Sequence, residues 1–207
     1  MEMVLISPQN SVSNEVGKVI ELFESGLQVF HIRKPHYSKK RMITYIEKIP
    51  AQYHNRIVIH SHHKLALKYD LRGIHLTSSF RKNKLKMWFV KTFIKGKKKG
   101  LTVSTSFHRL SNLDNFDYIY NYVFLSPIFD SISKKDYQSG FNEFSLKKAL
   151  ERTKYTVYAL GGVEVENISK TKEYGFKGCA LLGGIWTEKD PVAHFYESKR
   201  ICMDLGK

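Results

Sequence analysis

The chain has 207 residues, 42% of them hydrophobic and five of them proline, which suits one globular domain spanning 1–207 and excludes a disordered chain. Lysine plus arginine number 34 against 19 aspartate plus glutamate, a formal net charge of +15 that draws anions, including phosphate esters and nucleic acid. No stretch approaches the ~18 consecutive apolar residues of a helical membrane span.

The elements alternate along the chain. Met3 to Ile6 reads as a first strand, and Val12 to Glu24 as a helix with Val12, Val16, Val19, Ile20 and Phe23 on one stripe. Leu27 to Ile32 is the second strand, leading into Arg33-Lys34-Pro35; Ser38 then caps a helix whose apolar side is Met42, Ile43, Tyr45, Ile46 and Ile49. Arg56 to His60 is the third strand, followed by a short helix from His63 to Tyr69, and Gly73 to Leu76 is the fourth. Leu85 to Ile94 is apolar without a clean period, so helix and strand both stand.

Leu101 to Ser104 is the fifth strand, His108 to Asn115 a short helix, and Tyr122 to Phe129 the sixth strand, which ends in a proline turn. A helix from Phe144 to Arg152 precedes the seventh strand, Thr156 to Leu160, which Gly161-Gly162 breaks. A helix over Glu164 to Tyr174 leads to the eighth strand, Gly178 to Leu182, closed by Gly183-Gly184, and Asp190-Pro191 opens a last helix to about Met203. Strands alternating with helices and no hairpin signal favour a parallel sheet. Eight such units predict a small (β/α)8 TIM barrel; an open doubly wound sheet is the competing arrangement.

Barrel ligands bind at the C-terminal ends of the strands, commonly with phosphate near the last two βα loops. Gly161-Gly162 and Gly183-Gly184 occupy those two ends and can turn backbone N–H groups toward an anion; tight turns alone are the competing reading. Strand periodicity puts His31 and Arg33 on one face, so Arg33 is expected to meet a substrate anion or an internal carboxylate. His31 is a candidate proton carrier or a packed structural histidine. Lys134 with Ser131 and Ser133 can bind a phosphate, and Ser104 with Thr105 can orient a ligand or be satisfied hydroxyls.

His60 and His75 lie at neighbouring strand ends and, with His31, could approach one point as zinc requires, but the spacing matches no compact zinc motif and no metal is assigned. Cys179 and Cys202 are too few for a cysteine cluster, and Cys179 reads as a small core residue. The Lys95 to Lys99 block lacks interleaved aromatics, so it is read as a solvated loop with no dedicated nucleic-acid partner. Met1 to Pro8 lacks a basic segment and a long apolar run; a strand is expected there rather than a signal peptide, with no membrane partner and cytoplasm as the compartment. A homodimer is an open expectation.

The residues resemble the thiamine phosphate synthase and thiazole tautomerase superfamily, small (β/α)8 barrels that handle the thiazole phosphate half of thiamine. The resemblance covers residues 3 to 187. It rests on His31-Ile32-Arg33-Lys34, Gly73-Ile74-His75-Leu76, Val103-Ser104 followed by His108, Ser126-Pro127-Ile128-Phe129 continuing to Ser133-Lys134-Lys135, Ala159-Leu160-Gly161-Gly162-Val163 with Asn167, and the glycine-rich end of strand eight.

In a synthase of this family the resemblance implies Mg2+ and a diphosphate held by two aspartates, by a lysine shortly after the strand-two arginine, and by the loop after strand six. Here Arg33, Lys134, Ser131 and Ser133 match, whereas His60-Ser61, Thr77-Ser78-Ser79-Phe80 and Pro35 stand where Asn-Asp, the second aspartate motif and the lysine are expected. The tautomerase branch needs no metal, and the His-Ile-Arg run and Ser79-Phe80 are closer to it, although Pro127 takes the place of its strand-six histidine.

The expected function is therefore binding of a thiazole phosphate and a tautomerase-like isomerisation without cofactor. In that reading His31 shuttles the proton, or His108 if its loop folds inward, Arg33 neutralises an anion, and Lys134 adds positive field; His60 and His75 are further possible site residues. The alternatives are thiamine phosphate synthase, which would bring in Mg2+, and a barrel that binds a phosphate ligand without chemistry.

Overall fold

The computed structural model describes residues 1–94, 96, 98–117, 119–129 and 141–206. Eight strands follow one another in chain order in a closed parallel barrel: β1 Glu2–Ile6, β2 Phe30–Ile32, β3 Ile57–Ile59, β4 Gly73–Leu76, β5 Thr102–Phe107, β6 Tyr122–Leu125, β7 Val157–Leu160 and β8 Gly178–Leu181. This is a small (β/α)8 TIM barrel, and the open doubly wound alternative is discarded. Every residue of β2, β3, β4, β6 and β8 is buried, as expected of parallel strands covered on both faces.

By backbone contact the chain divides into two compact units, Ile6–Thr105 and Met1–Leu5 with Ser106–Lys207. In the first, β2, β3, β4 and the start of β5 pair in parallel. Helices Glu15–Glu24 and Lys39–Glu47 bury Val19, Leu22, Phe23, Met42 and Ile46, and Ser38 caps the second by accepting from the Arg41 N–H. A short helix, Ser78–Arg81, precedes the ambiguous segment, which is helical: Lys84–Phe89 and a π-turn over Val90–Ile94. Two of its apolar residues point outward, Leu85 being 80% exposed and Trp88 59%, while Val90 is buried, which is why no period marked it. Lys98, from the basic block, pairs with Asp70 at 2.7 Å.

In the second unit β1 pairs with β8, and β6 and β8 flank β7. Only a glycine fits at Gly178, where a Cβ would lie 2.8 Å from a Tyr158 ring carbon. The sulfurs of Cys179 and Cys202 approach to 3.9 Å in the core as free thiols. The helix expected over Glu164 to Tyr174 begins as a 3-10 turn, Val165–Asn167, and continues as Ile168–Glu173. The last helix is Pro191–Asp204, with Asp190 accepting from the N–H groups of Val192 and Ala193. No helix among the described residues is long and apolar enough to cross a membrane.

Candidate active site

Within Ile6–Thr105 the register gathers imidazoles. His31 lies opposite Val58, so His60, two residues on, shares its face; His60 follows Ile59 and His75 follows Ile74, a registered pair, which makes the two histidines cross-strand neighbours. Their rings stack with centroids 4.1 Å apart, and His31 Nδ1 lies 2.9 Å from His60 Nε2. His75 Nδ1 is in turn 3.0 Å from the hydroxyl of Ser104, its register partner on β5.

All three are held in the neutral form. Burial is the first cause in each case; His75 and Arg72 add repulsion at His31, and His75, His31 and Arg33 add it at His60. The pKa of His75 falls to about 3, with His63, Arg33 and Arg81 contributing after burial, and that of His63 falls to about 4, mainly through burial.

Arg33 follows β2. Its backbone N–H donates to Ser7 Oγ at 2.8 Å, and the Gln9 amide, oriented with oxygen toward the guanidinium, accepts from Nη1 at 2.9 Å and Nη2 at 3.2 Å. Among the described residues it meets an amide, not a carboxylate, and burial lowers its pKa from the ordinary value. The next residue turns the other way. Lys34 is fully buried, its Nζ 2.7 Å from Glu15 Oε2 and 3.1 Å from the Asn10 carbonyl, while Tyr45 donates to Glu15 Oε1 at 2.7 Å. The sequence places Lys34 only within a motif and carries no signal that pairs it with Glu15.

His60 also borders a cleft of ≈ 690 Å³ whose walls include Ser61, Lys64, Phe80, Lys86 and Phe89. Among the described residues no carboxylate lines it. Ser61 Oγ is buried with no hydrogen-bond partner, and the Phe80 ring packs edge-on to His63 at 4.6 Å. The two positions at which the resemblance implies magnesium-binding aspartates are thus a hydroxyl and a hydrocarbon ring, and they do not fit a hard, oxygen-liganded cation.

Within the other unit, three strand ends form a set of backbone turns. After β6 the Ser126–Pro127 bond is cis, and His108 Nδ1 bonds the Ser126 carbonyl at 2.9 Å. After β7, Gly161 and Gly162 adopt φ of 91° and 66°; Ile128 donates to Leu160 and Phe129 to Gly161, and a Cβ on Gly161 would stand 3.0 Å from Pro127 Cα. Asn167 fixes the same loop by donating to the Gly162 carbonyl at 2.7 Å and accepting from the Glu164 N–H. After β8, Gly184 lies against Val163 and Glu164, so the two diglycine turns adjoin, and Gly183 faces open space.

The predicted residues therefore fall into two groups. His31, His60, His75, Ser104 and Arg33 come together in one unit, with His31 fully buried behind the partly exposed His60. Gly161, Gly162, Gly183 and Gly184 come together in the other, where His108 is exposed. Thr105 is satisfied internally, donating to the Leu76 carbonyl at 2.6 Å. Lys134, Ser131 and Ser133 lie outside the described residues.

The family model described as thiamine monophosphate synthase matches residues 3–185. The thiamine-phosphate synthase of Prochlorococcus marinus is 27% identical over 93% of the chain, which spans about half (54%) of that relative's length. The thiamine-phosphate synthase of Pediococcus pentosaceus is 21% identical, with 88% of this chain and 87% of the relative aligned. The crystal structure of thiamine phosphate pyrophosphorylase from Bacteroides thetaiotaomicron superposes with a TM-score of 0.80 at 28% identity over all of both chains. The pyrophosphorylase from Pyrococcus furiosus, at 17% identity, shares the fold with a TM-score of 0.78.

Proposed function

The chain belongs to the thiamine monophosphate synthase family, and from that premise we propose that it joins an aminopyrimidine diphosphate to a thiazole phosphate. The C–O bond to diphosphate breaks, the thiazole nitrogen takes that carbon, and diphosphate leaves with the electron pair. Membership supports an enzymatic function and a phosphorylated thiamine precursor as ligand.

The observation that carries condensation over isomerisation is the full-length likeness to a solved thiamine phosphate pyrophosphorylase. The relatives aligned over most of their length carry the synthase name as well. Pro127, where the tautomerase branch has its proton-transferring histidine, instead packs beneath Gly161 and offers no proton.

The roles follow from the chemistry of the groups. The adjoining diglycine turns present backbone beside an open approach at Gly183, a cradle suited to the phosphate ester. Arg33, held by Gln9 and with no carboxylate partner among the described residues, keeps its charge for an anionic substrate group. His31 is fully buried and hydrogen-bonded to His60, the member of the pair that borders the cleft. No step is routed through magnesium, because the residues after β3 and β4 do not fit it.

Purified protein supplied with both precursors should form thiamine phosphate and diphosphate in equal amounts. A parallel isomerisation assay on the same preparation decides the matter: isomerisation without condensation overturns the reading in favour of a tautomerase, and binding without either reaction makes the chain a non-catalytic barrel.

A further inference from the structure

The carboxylate-free wall of Ile6–Thr105 has a donor set of its own. His31, His60 and His75 each offer a ring nitrogen, and these atoms all lie within 4.8 Å of one another. We propose that His31, His60 and His75 form a binding site for a late first-row transition cation such as Zn2+, with an exchangeable position on the His60 side, toward the cleft.

Four observations support this. Neutral imidazole is the form that binds metals, and this environment keeps all three rings neutral at physiological pH. Three borderline-soft nitrogens, with no carboxylate grouped with them among the described residues, select Zn2+, Co2+, Ni2+ or Cu2+ and discriminate against Mg2+. Ser104 engages Nδ1 of His75, the outer-sphere hydrogen bond that directs coordination to Nε2 and sets the ring's orientation. Finally, the unpaired Ser61 hydroxyl adjoins His60 at the cleft wall, where a water or anion on the fourth position of the metal would meet it.

The three nitrogens, within 4.8 Å of one another, must be drawn to a common point. In a tetrahedral site with metal–nitrogen bonds near 2.0–2.1 Å, ligand nitrogens stand about 3.3 Å apart. His31 Nδ1 and His60 Nε2, at 2.9 Å, must open by a few tenths of an ångström, and the stacked His60 and His75 rings must splay. The metal bonds replace the hydrogen bond between His31 and His60. Arg33 and Arg72 lie close enough to repel a bare dication, which favours an anion such as hydroxide in the open position.

The inference concerns binding alone and stands whether or not the condensation is observed. The test uses the untagged full chain, stripped with a chelator and titrated with Co2+. One equivalent should bind with the intense visible bands of four-coordinate cobalt; Zn2+ should abolish the bands, a large excess of Mg2+ should not, and azide should shift them. His60→Asn, at a partly exposed position that leaves the core intact, should weaken Co2+ by more than about 100-fold, whereas His108→Asn should not change it. Absence of the bands in the native chain overturns the proposal, as does unchanged affinity in His60→Asn with its circular dichroism preserved. Bands that azide leaves unmoved would overturn the exchangeable position.

Discussion

The unit formed by residues 6–105 and the unit formed by residues 1–5 with 106–207 approach ligand chemistry by different means. The second uses main chain: glycines at the ends of β7 and β8, positive φ at Gly161 and Gly162, and an asparagine clip. The first uses side chains in a dry setting: three touching imidazoles, an arginine on an amide, and a buried lysine on a glutamate. Backbone dipoles do not titrate and depend on shape, whereas buried ionisable groups depend on their partners and on pH. The two units should therefore fail in different ways when perturbed.

The largest effect is expected at Lys34. Among the described residues Glu15→Ala leaves its ammonium buried with the Asn10 carbonyl and the Tyr37 and Tyr45 rings, and breaking one partner of a buried pair costs about 3–5 kcal/mol. Urea denaturation should show that loss, and Glu15→Gln with Lys34→Met should recover most of it, since the cost lies in the orphaned charge. A loss below about 1 kcal/mol in Glu15→Ala would mean that water reaches Lys34.

Shape is tested next. Gly161→Ala places a methyl 3.0 Å from Pro127 Cα on backbone with φ of 91°, a conformation that costs other residues about 1–3 kcal/mol. The loss should be independent of pH between 5 and 8, which separates it from anything in the histidine wall.

That wall should respond in the opposite way. His75, with its pKa near 3 in the fold and ordinary in the unfolded chain, is neutral when folded and takes up a proton on unfolding in acid. Its contribution is fully present above the unfolded value near 6.5 and is lost as pH falls, by up to about 1.4 kcal/mol per pH unit. His75→Gln should flatten the slope of stability against pH between 6.5 and 4.5, whatever its effect at neutral pH. An unchanged slope would place the acid sensitivity elsewhere.

The same contrast explains what could be read in the sequence. β4 and β8 were legible because short apolar runs ended in abrupt breaks, and the diglycine turns because glycine pairs at strand ends have few uses. The histidine wall was half legible: the residues were identifiable, but their stacking follows from a register that no periodicity displays. The Glu15–Lys34 pair was invisible, since charged residues 19 apart default to separate solvated positions and only the folded barrel makes them neighbours. The helical walls of the cleft were ambiguous because Leu85 and Trp88 face outward and erase the period.

The smallest effect on stability, and the sharpest on function, is expected at Gly183. Among the described residues beyond its own helix and chain neighbours, no atom lies within 4 Å of a Cβ placed there, in contrast to Gly161, and its φ is not positive, so Gly183→Ala should change stability by no more than about 0.5 kcal/mol. If the β8 turn cradles the phosphate ester, however, the methyl occupies the approach to its backbone, and KM for the thiazole phosphate should rise about tenfold or more at unchanged kcat. A matched melting temperature with an unchanged KM would remove the β8 turn from the ligand's path and leave Gly183 as a bend in the chain. A raised KM would show that one of two chemically identical residues serves the fold and the other the substrate, a distinction set wholly by what stands in front of each Cα.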